Sequence, residues 1–186
     1  KLSEFDLSRI FVNYSKRHLP DLKNIKEITK SSNLGAIHSI NISIGNGELA
    51  MITSHYIDYL KYLLNETPIN VQAILSPPKE NIRGLNYEDN NGVCSLFYES
   101  GITAFLNFSK NHSNKNVQIF IKCQKGYIFF DEYQSYLIIS PQGMAPFVYN
   151  SIEQGTSAIG IKRVISDILS PNKLTTMCSY EDALEV

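Results

Sequence analysis

Apolar and polar residues alternate along residues 36–44 (AIHSINISI), the period of a half-buried strand. After a glycine turn, residues 48–65 place Leu49, Ala50, Met51, Ile52, Tyr56, Ile57, Tyr59, Leu60, Tyr62, Leu63 and Leu64 around nearly the whole circumference of a helix. Such a helix is expected to be largely buried. Ser54, Asp58 and Lys61 form its polar stripe, with His55 at the border. Asp58 is spaced to pair with Lys61 at i, i+3. Upstream, residues 8–14 read as a first strand. Pro20 suits the first turn of a helix running to about residue 33, with Leu22, Ile25 and Ile28 as its core face. Gly35 suits that helix's C-terminal turn. Downstream, residues 69–75, 93–99, 103–109, 117–124, 127–131 and 135–140 read as strands of an antiparallel meander. Its inward positions are expected to include Leu96, Tyr98, Phe105, Phe108, Ile119, Ile121, Ile128 and Phe130. Loops fall at 77–78 and 88–92, and a polar hairpin tip at 111–116. A late helix over 156–169 carries apolar Ile159, Ile161, Val164, Ile165 and Ile168. The fold class that follows is α+β: an open, mainly antiparallel sheet with helices packed on one face.

The turn between that alternating strand and the long helix carries Gly45, Gly47 and Ala50, which fit G-x-G-x-x-A. A strand, a glycine turn and a helix in that order can present backbone N–H groups to a pyrophosphate. A dinucleotide fingerprint also needs an acidic residue at the end of the next strand. Residues 69–75 end instead in Ser76-Pro77-Pro78, and beyond them strands and helices do not alternate. The nucleotide reading is therefore the weaker of two.

The other reading rests on the order of several short motifs. Val12-Asn13-Tyr14-Ser15-Lys16-Arg17-His18 is followed by a helix, by Leu34-Gly35-Ala36-Ile37, by Gly47-Glu48-Leu49 and by Ser54-His55-Tyr56-Ile57-Asp58-Tyr59-Leu60. Ser100-Gly101-Ile102-Thr103-Ala104, Gly126-Tyr127-Ile128 and a final Cys178-Ser179-Tyr180-Glu181-Asp182-Ala183-Leu184 complete the series. This order resembles the C-terminal domain of the Gfo/Idh/MocA family, NAD(P)-dependent oxidoreductases that act mostly on sugars and cyclitols. The resemblance implies a dihydrodipicolinate-reductase-like substrate-binding and oligomerisation domain over residues 1–186. A Rossmann half absent from this chain would bind NAD or NADP and supply the catalytic Lys; no cofactor is expected on this chain alone. It also implies homodimers formed through the sheet. The family usually places an Asp four residues before the helix His, where this chain has Met51. A thioether accepts no proton there, so a non-catalytic ligand-binding or dimerisation module that kept the fold stays open as the alternative.

Composition narrows the classes. The 186 residues are 43% hydrophobic, enough for one domain with a good core. The net charge of −1 comes from scattered residues, so neither nucleic acid nor an anionic membrane is implied as a partner. The apolar runs are far short of a membrane span. Cys94, Cys123 and Cys178 stand singly, which suits buried thiols in a reducing cytoplasm. The four histidines show no metal-ligand spacing. The chain opens on Lys1 and stops at Val186 as a helix begins, so it is expected to be a domain excised from a longer protein.

Within the resemblance, His55 is the candidate catalytic residue: it would hydrogen-bond a substrate hydroxyl and take its proton, a task suited to a group that titrates near neutrality. The competing role is a structural histidine bonded to a core carbonyl. Lys16 and Arg17, after the first strand, are candidate cations for substrate hydroxyl or carboxylate groups, or else solvated charges paired with Asp21. Tyr14 would line the site or pack in the core. Asp58 would hold a structural ion pair or touch substrate, and Tyr59 would share the His55 face or fill the core. Arg163 is a surface charge by default, and His112 is given no role. A polyol or sugar substrate and the chain's own Rossmann half are the expected partners.

Overall fold

The computed structural model describes residues 6–7, 10–31, 33–45, 47–76, 89–108, 116–150, 157–170 and 177–186. Pro77, Pro78, His112 and most of the tip expected at 111–116 lie outside them, as does the side chain of Ile159. Helix α1 spans Pro20–Lys30 and α2 spans Ser54–Leu64. The strands of the main sheet are β2 (Ile37–Ile44), β3 (Asn70–Leu75), β4 (Gly92–Phe97), β5 (Thr103–Phe108), β6 (Val117–Cys123), β7 (Gly126–Asp131), β8 (Tyr136–Pro141) and β9 (Phe147–Asn150). Short β1 (Phe11–Val12) pairs antiparallel with β10 (Cys178–Ser179), ahead of α4 (Tyr180–Leu184). Helix α3 spans Ser157–Ile168.

The eight strands run in the order β3-β4-β5-β2-β6-β7-β8-β9. Every pairing is antiparallel except β2 with β5, which is parallel. The meander read from the sequence is therefore split: β2, formed early, slots between β5 and β6. Local alternation identifies the strands, but it carries no information on which non-sequential strand becomes a neighbour.

The sheet's alternation sets its two faces. Ile40, Ile42 and Ile44 of β2, with Ala104, Leu106 and Phe108 of β5 and Ile119 and Ile121 of β6, are buried against Leu22 and Ile25 of α1 and Tyr56, Tyr59, Leu60 and Leu63 of α2. Of the eight positions expected to point inward, seven do so. Phe105 does not: it is 39% exposed on the opposite face. A strand cannot turn both Phe105 and Phe108 inward, because they differ by an odd number of residues. Ala104, Leu106 and Phe108 take the core side.

The open face carries Asn41, Ser43, Asn107 and Gln118 among Phe105, Phe120 and Phe129, around a shallow depression of about 240 Å³. The edge strands β3 and β9 are exposed along their whole length. At the hairpin between β6 and β7, Gly126 adopts φ +149°, and a Cβ there would lie 2.2 Å from the Ser140 carbonyl oxygen. No side chain fits that approach, which is why this turn needs glycine.

Candidate functional site

The long helix expected over 48–65 is two pieces. Leu49–Thr53 winds as one π-helical turn, with Thr53 N–H bonding the Glu48 carbonyl at 2.9 Å, and α2 continues it. Ser54 closes the joint by donating its hydroxyl to the Ala50 carbonyl at 2.7 Å. Single π turns of this kind concentrate at functional sites. At the far end, Asn65 takes the left-handed conformation (φ 54°) and its N–H caps the Lys61 carbonyl at 2.8 Å.

The N–H groups that would face a pyrophosphate are already used. Ala50 and Met51 donate to the two carboxylate oxygens of Asp89 at 2.7 and 3.0 Å, and Asp89 is 6% exposed. An internal carboxylate thus occupies the anion position of this helix start. The described residues do not fit a dinucleotide at Gly45–Ala50, and the nucleotide reading falls on that geometry.

The expected pairing of Asp58 with Lys61 is not what forms. Asp58 is fully buried and takes a bidentate grip from Arg17, whose Nε lies 3.0 Å from Oδ2 and whose terminal nitrogen bonds Oδ1. Burial works to lower the Arg17 pKa, but the Asp58 carboxylate outweighs it and raises it. Lys61 instead reaches the chain's end, at 3.0 Å from Asp182 and 2.6 Å from Glu185. The Cys178 thiol, beside Asp58, is pushed up to about 12 by burial and then by that carboxylate. The reason is steric. Asp58 lies on the side of α2 that faces the 3-10 helix Ser15–His18, while Lys61, less than one turn on, looks out to α4.

Lys16 turns inward as well. Its ammonium bonds one carboxylate oxygen of Glu132 and lies 5.0 Å from the Tyr56 ring centroid, while the Tyr56 hydroxyl donates to the other Glu132 oxygen at 2.5 Å. His55 sits against Tyr14, ring edge to ring face, at 5.3 Å between centroids and 87°. Its Nδ1 is buried without a hydrogen-bond partner. Among the described residues, Nδ1 does not make the bond to a core carbonyl that the structural role would give it. Burial, and then the Lys16 charge, lower the His55 pKa; Asp58 and Glu132 pull the other way. Tyr14 is raised, mainly by burial.

Tyr14 and His55 therefore meet, and the charge of Lys16, held on Glu132, acts on His55. Arg17 and Asp58 form a sealed pair behind them, and Tyr59 is fully buried with its hydroxyl on the Leu22 carbonyl at 3.2 Å. Met51 is 37% exposed. Arg163 lies on α3, the helix that packs Gly160 against Ser15 and bonds Asp167 to His18. Glu132, Tyr56 and Asp89 were not singled out from the sequence. Glu132 lies 116 residues from Lys16 and 76 from Tyr56, so no local spacing announces it. Among the described residues no group of three or more His, Cys, Asp or Glu side chains is placed to hold a metal, and no helix is long and apolar enough to cross a membrane. All three cysteines are buried and free, as expected.

An eight-stranded mixed sheet with helices on one face and a His-bearing helix at its start defines a domain class. Residues 42–129 match the family described as GFO/IDH/MocA C-terminal domain. No curated protein sequence matches the chain. Among solved structures, the aldose-aldose oxidoreductase from Caulobacter crescentus complexed with glycerol aligns with TM-score 0.69 and 18% identity, covering 95% of this chain and 58% of that one. An oxidoreductase from Agrobacterium radiobacter in complex with NAD+, L-tartaric acid and magnesium aligns at 0.70 and 15% identity, covering 94% and 58%. The super-repressor mutant of Gal80p from Saccharomyces cerevisiae aligns at 0.67 and 17% identity, covering 85% and 50%. The chain thus spans half to about three fifths of the proteins it resembles. Over residues 42–129 it is similar to the C-terminal domain of the Gfo/Idh/MocA family, and its fold is that of these solved structures.

Proposed function

We propose that this chain is the substrate-binding and dimerisation domain of an NAD(P)-dependent oxidoreductase that acts on a sugar, nucleotide-sugar or cyclitol. The observation that carries the reading is His55: half-buried, against the Tyr14 ring, and with no hydrogen bond to its buried Nδ1. An imidazole kept neutral by burial is ready to accept the proton of a substrate hydroxyl. The hydride carrier belongs to an N-terminal Rossmann half, since Asp89 fills the anion position in this chain. The exposed stripe Ile161, Ile165 and Ile168 on α3 supports a further packed partner of that kind.

Charge balance supports a neutral, hydroxylated ligand at His55. Lys16 and Arg17 are both matched by internal carboxylates. The open sheet face, with Phe105, Phe120 and Phe129, supports dimerisation through the sheet.

The test is nicotinamide cofactor turnover by the full-length protein against sugars, nucleotide-sugars and inositols, with His55→Ala as control. Turnover that falls by about 100-fold or more in the variant is the expected result for loss of a general base. Failure to bind either cofactor would overturn the reading.

One observation favours a second reading, a non-catalytic binding module. Met51 stands where an acid would help the histidine, and a repressor, Gal80p, shares the fold. An N-terminal half that lacks the catalytic Lys expected of it would decide for it.

A further inference from the structure

The carboxylate of Glu132, in the turn after β7, is joined to the elements around His55 from far along the chain. Its two oxygens do separate things. One takes the Lys16 ammonium, and the other takes the buried Tyr56 hydroxyl, 2.5 Å away. Tyr56 is fully buried, so its hydroxyl fixes where Glu132 can lie, and Glu132 in turn fixes Lys16 over the Tyr56 ring. Tyr56 follows His55 directly on α2, and Lys16 stands two residues after the Tyr14 ring that packs on His55. The charged side chains of Lys16 and Glu132 are only 19% and 13% exposed, so water screens them little.

We propose that Glu132 is a positioning residue of this site: anchored by Tyr56, it holds Lys16 over the ring of the residue that follows His55, so that a fixed ion pair rather than a mobile lysine sets the charge around the imidazole. The proposal rests on His55 being the proton acceptor of the site. The charged groups acting on His55 come from three elements: Lys16 from the 3-10 helix Ser15–His18, Glu132 from the turn after β7, and Asp58 from α2 itself. Tyr14 adds a ring edge and no charge in its neutral form. Asp58 is occupied by Arg17, which leaves Lys16 and Glu132 as an opposed pair. Lys16 favours neutral imidazole, and Glu132 limits that effect.

The test is the titration of the His55 ring by NMR of ¹³C-histidine-labelled full-length protein, with the resonance assigned by His55→Gln. Lys16→Met keeps the apolar stem and removes the charge. It is expected to raise the His55 midpoint by about half a unit or more. Lys16→Arg keeps the charge and is expected to leave the midpoint near that of the unsubstituted protein. Adding Glu132→Gln to Lys16→Met preserves an acceptor for Tyr56 and removes the remaining anion, so the midpoint should fall back. A midpoint unmoved by Lys16→Met, or equal in the single and double variants, overturns the proposal. The acid limb of kcat/KM should move in the same direction as the midpoint. If the midpoint shifts as expected but no variant or parent turns over cofactor, the oxidoreductase reading fails and the positioning role of Glu132 stands.

Discussion

At the residue scale, the decisive feature is a pair of neighbouring cations whose charges are both absorbed inside the protein. Arg17 and Asp58 are 6% and 0% exposed at the side chain. Removing one partner leaves the other as an unpaired buried charge. Arg17→Met is therefore expected to destabilise the domain by about 3–5 kcal/mol, read as a fall in the urea midpoint. The double variant Arg17→Met/Asp58→Leu should recover part of that loss. A second residue-scale prediction concerns His18, 1% exposed and bonded to Asp167 at 3.0 Å. Burial, then the Lys23 charge, hold its folded pKa below the ordinary histidine value. The unfolded chain then binds more protons just below about pH 6.5, so stability is full above that pH and falls as the solution is acidified through the folded pKa. Urea titrations should show this slope, and His18→Gln should flatten it.

At the element scale, the π turn and α2 were legible as one largely buried helix over 48–65, whose C-terminal end fell within one residue of the observed Leu64; Asn65 is the sort of residue that tolerates the left-handed cap. Asn65→Ala should cost about 1 kcal/mol and Asn65→Gly little, by thermal denaturation. The cap of its start was not legible, because it comes from Asp89, 39 residues away. Asp89→Ala is expected to cost about 1–2 kcal/mol. Amide exchange at Ala50 and Met51 should accelerate in that variant while the amides of α2 beyond Tyr56 stay protected. Uniform acceleration through α2 would show that Asp89 supports the whole helix and not its first turn alone.

At the scale of the whole molecule, the sheet has one face in the core and one that no helix among the described residues covers. Exposed Phe105 with Phe120 and Phe129 on that face gives the dimer proposal its test. Phe105→Glu places a charge at the centre of the open face and should shift the full-length protein toward monomer in sedimentation, with the fold intact by circular dichroism. An unchanged dimer would move the interface elsewhere.

The sequence alone determined the elements and the family's pattern, because both are local. Strand alternation, the glycine turn, Pro20 at the start of α1 and the His55-to-Asp58 spacing are set by neighbours within one or two turns. It also placed Tyr14, Lys16 and His55 in one candidate site through the order of motifs. Tertiary structure alone decided the partners. Whether Asp58 pairs with Lys61 or with Arg17, whether Lys16 meets solvent or Glu132, and whether β2 lies at an edge or between β5 and β6 depend on contacts across tens of residues. Burial makes those choices. A charge removed from water must find the nearest opposite charge in space, and chain spacing does not say which one that is.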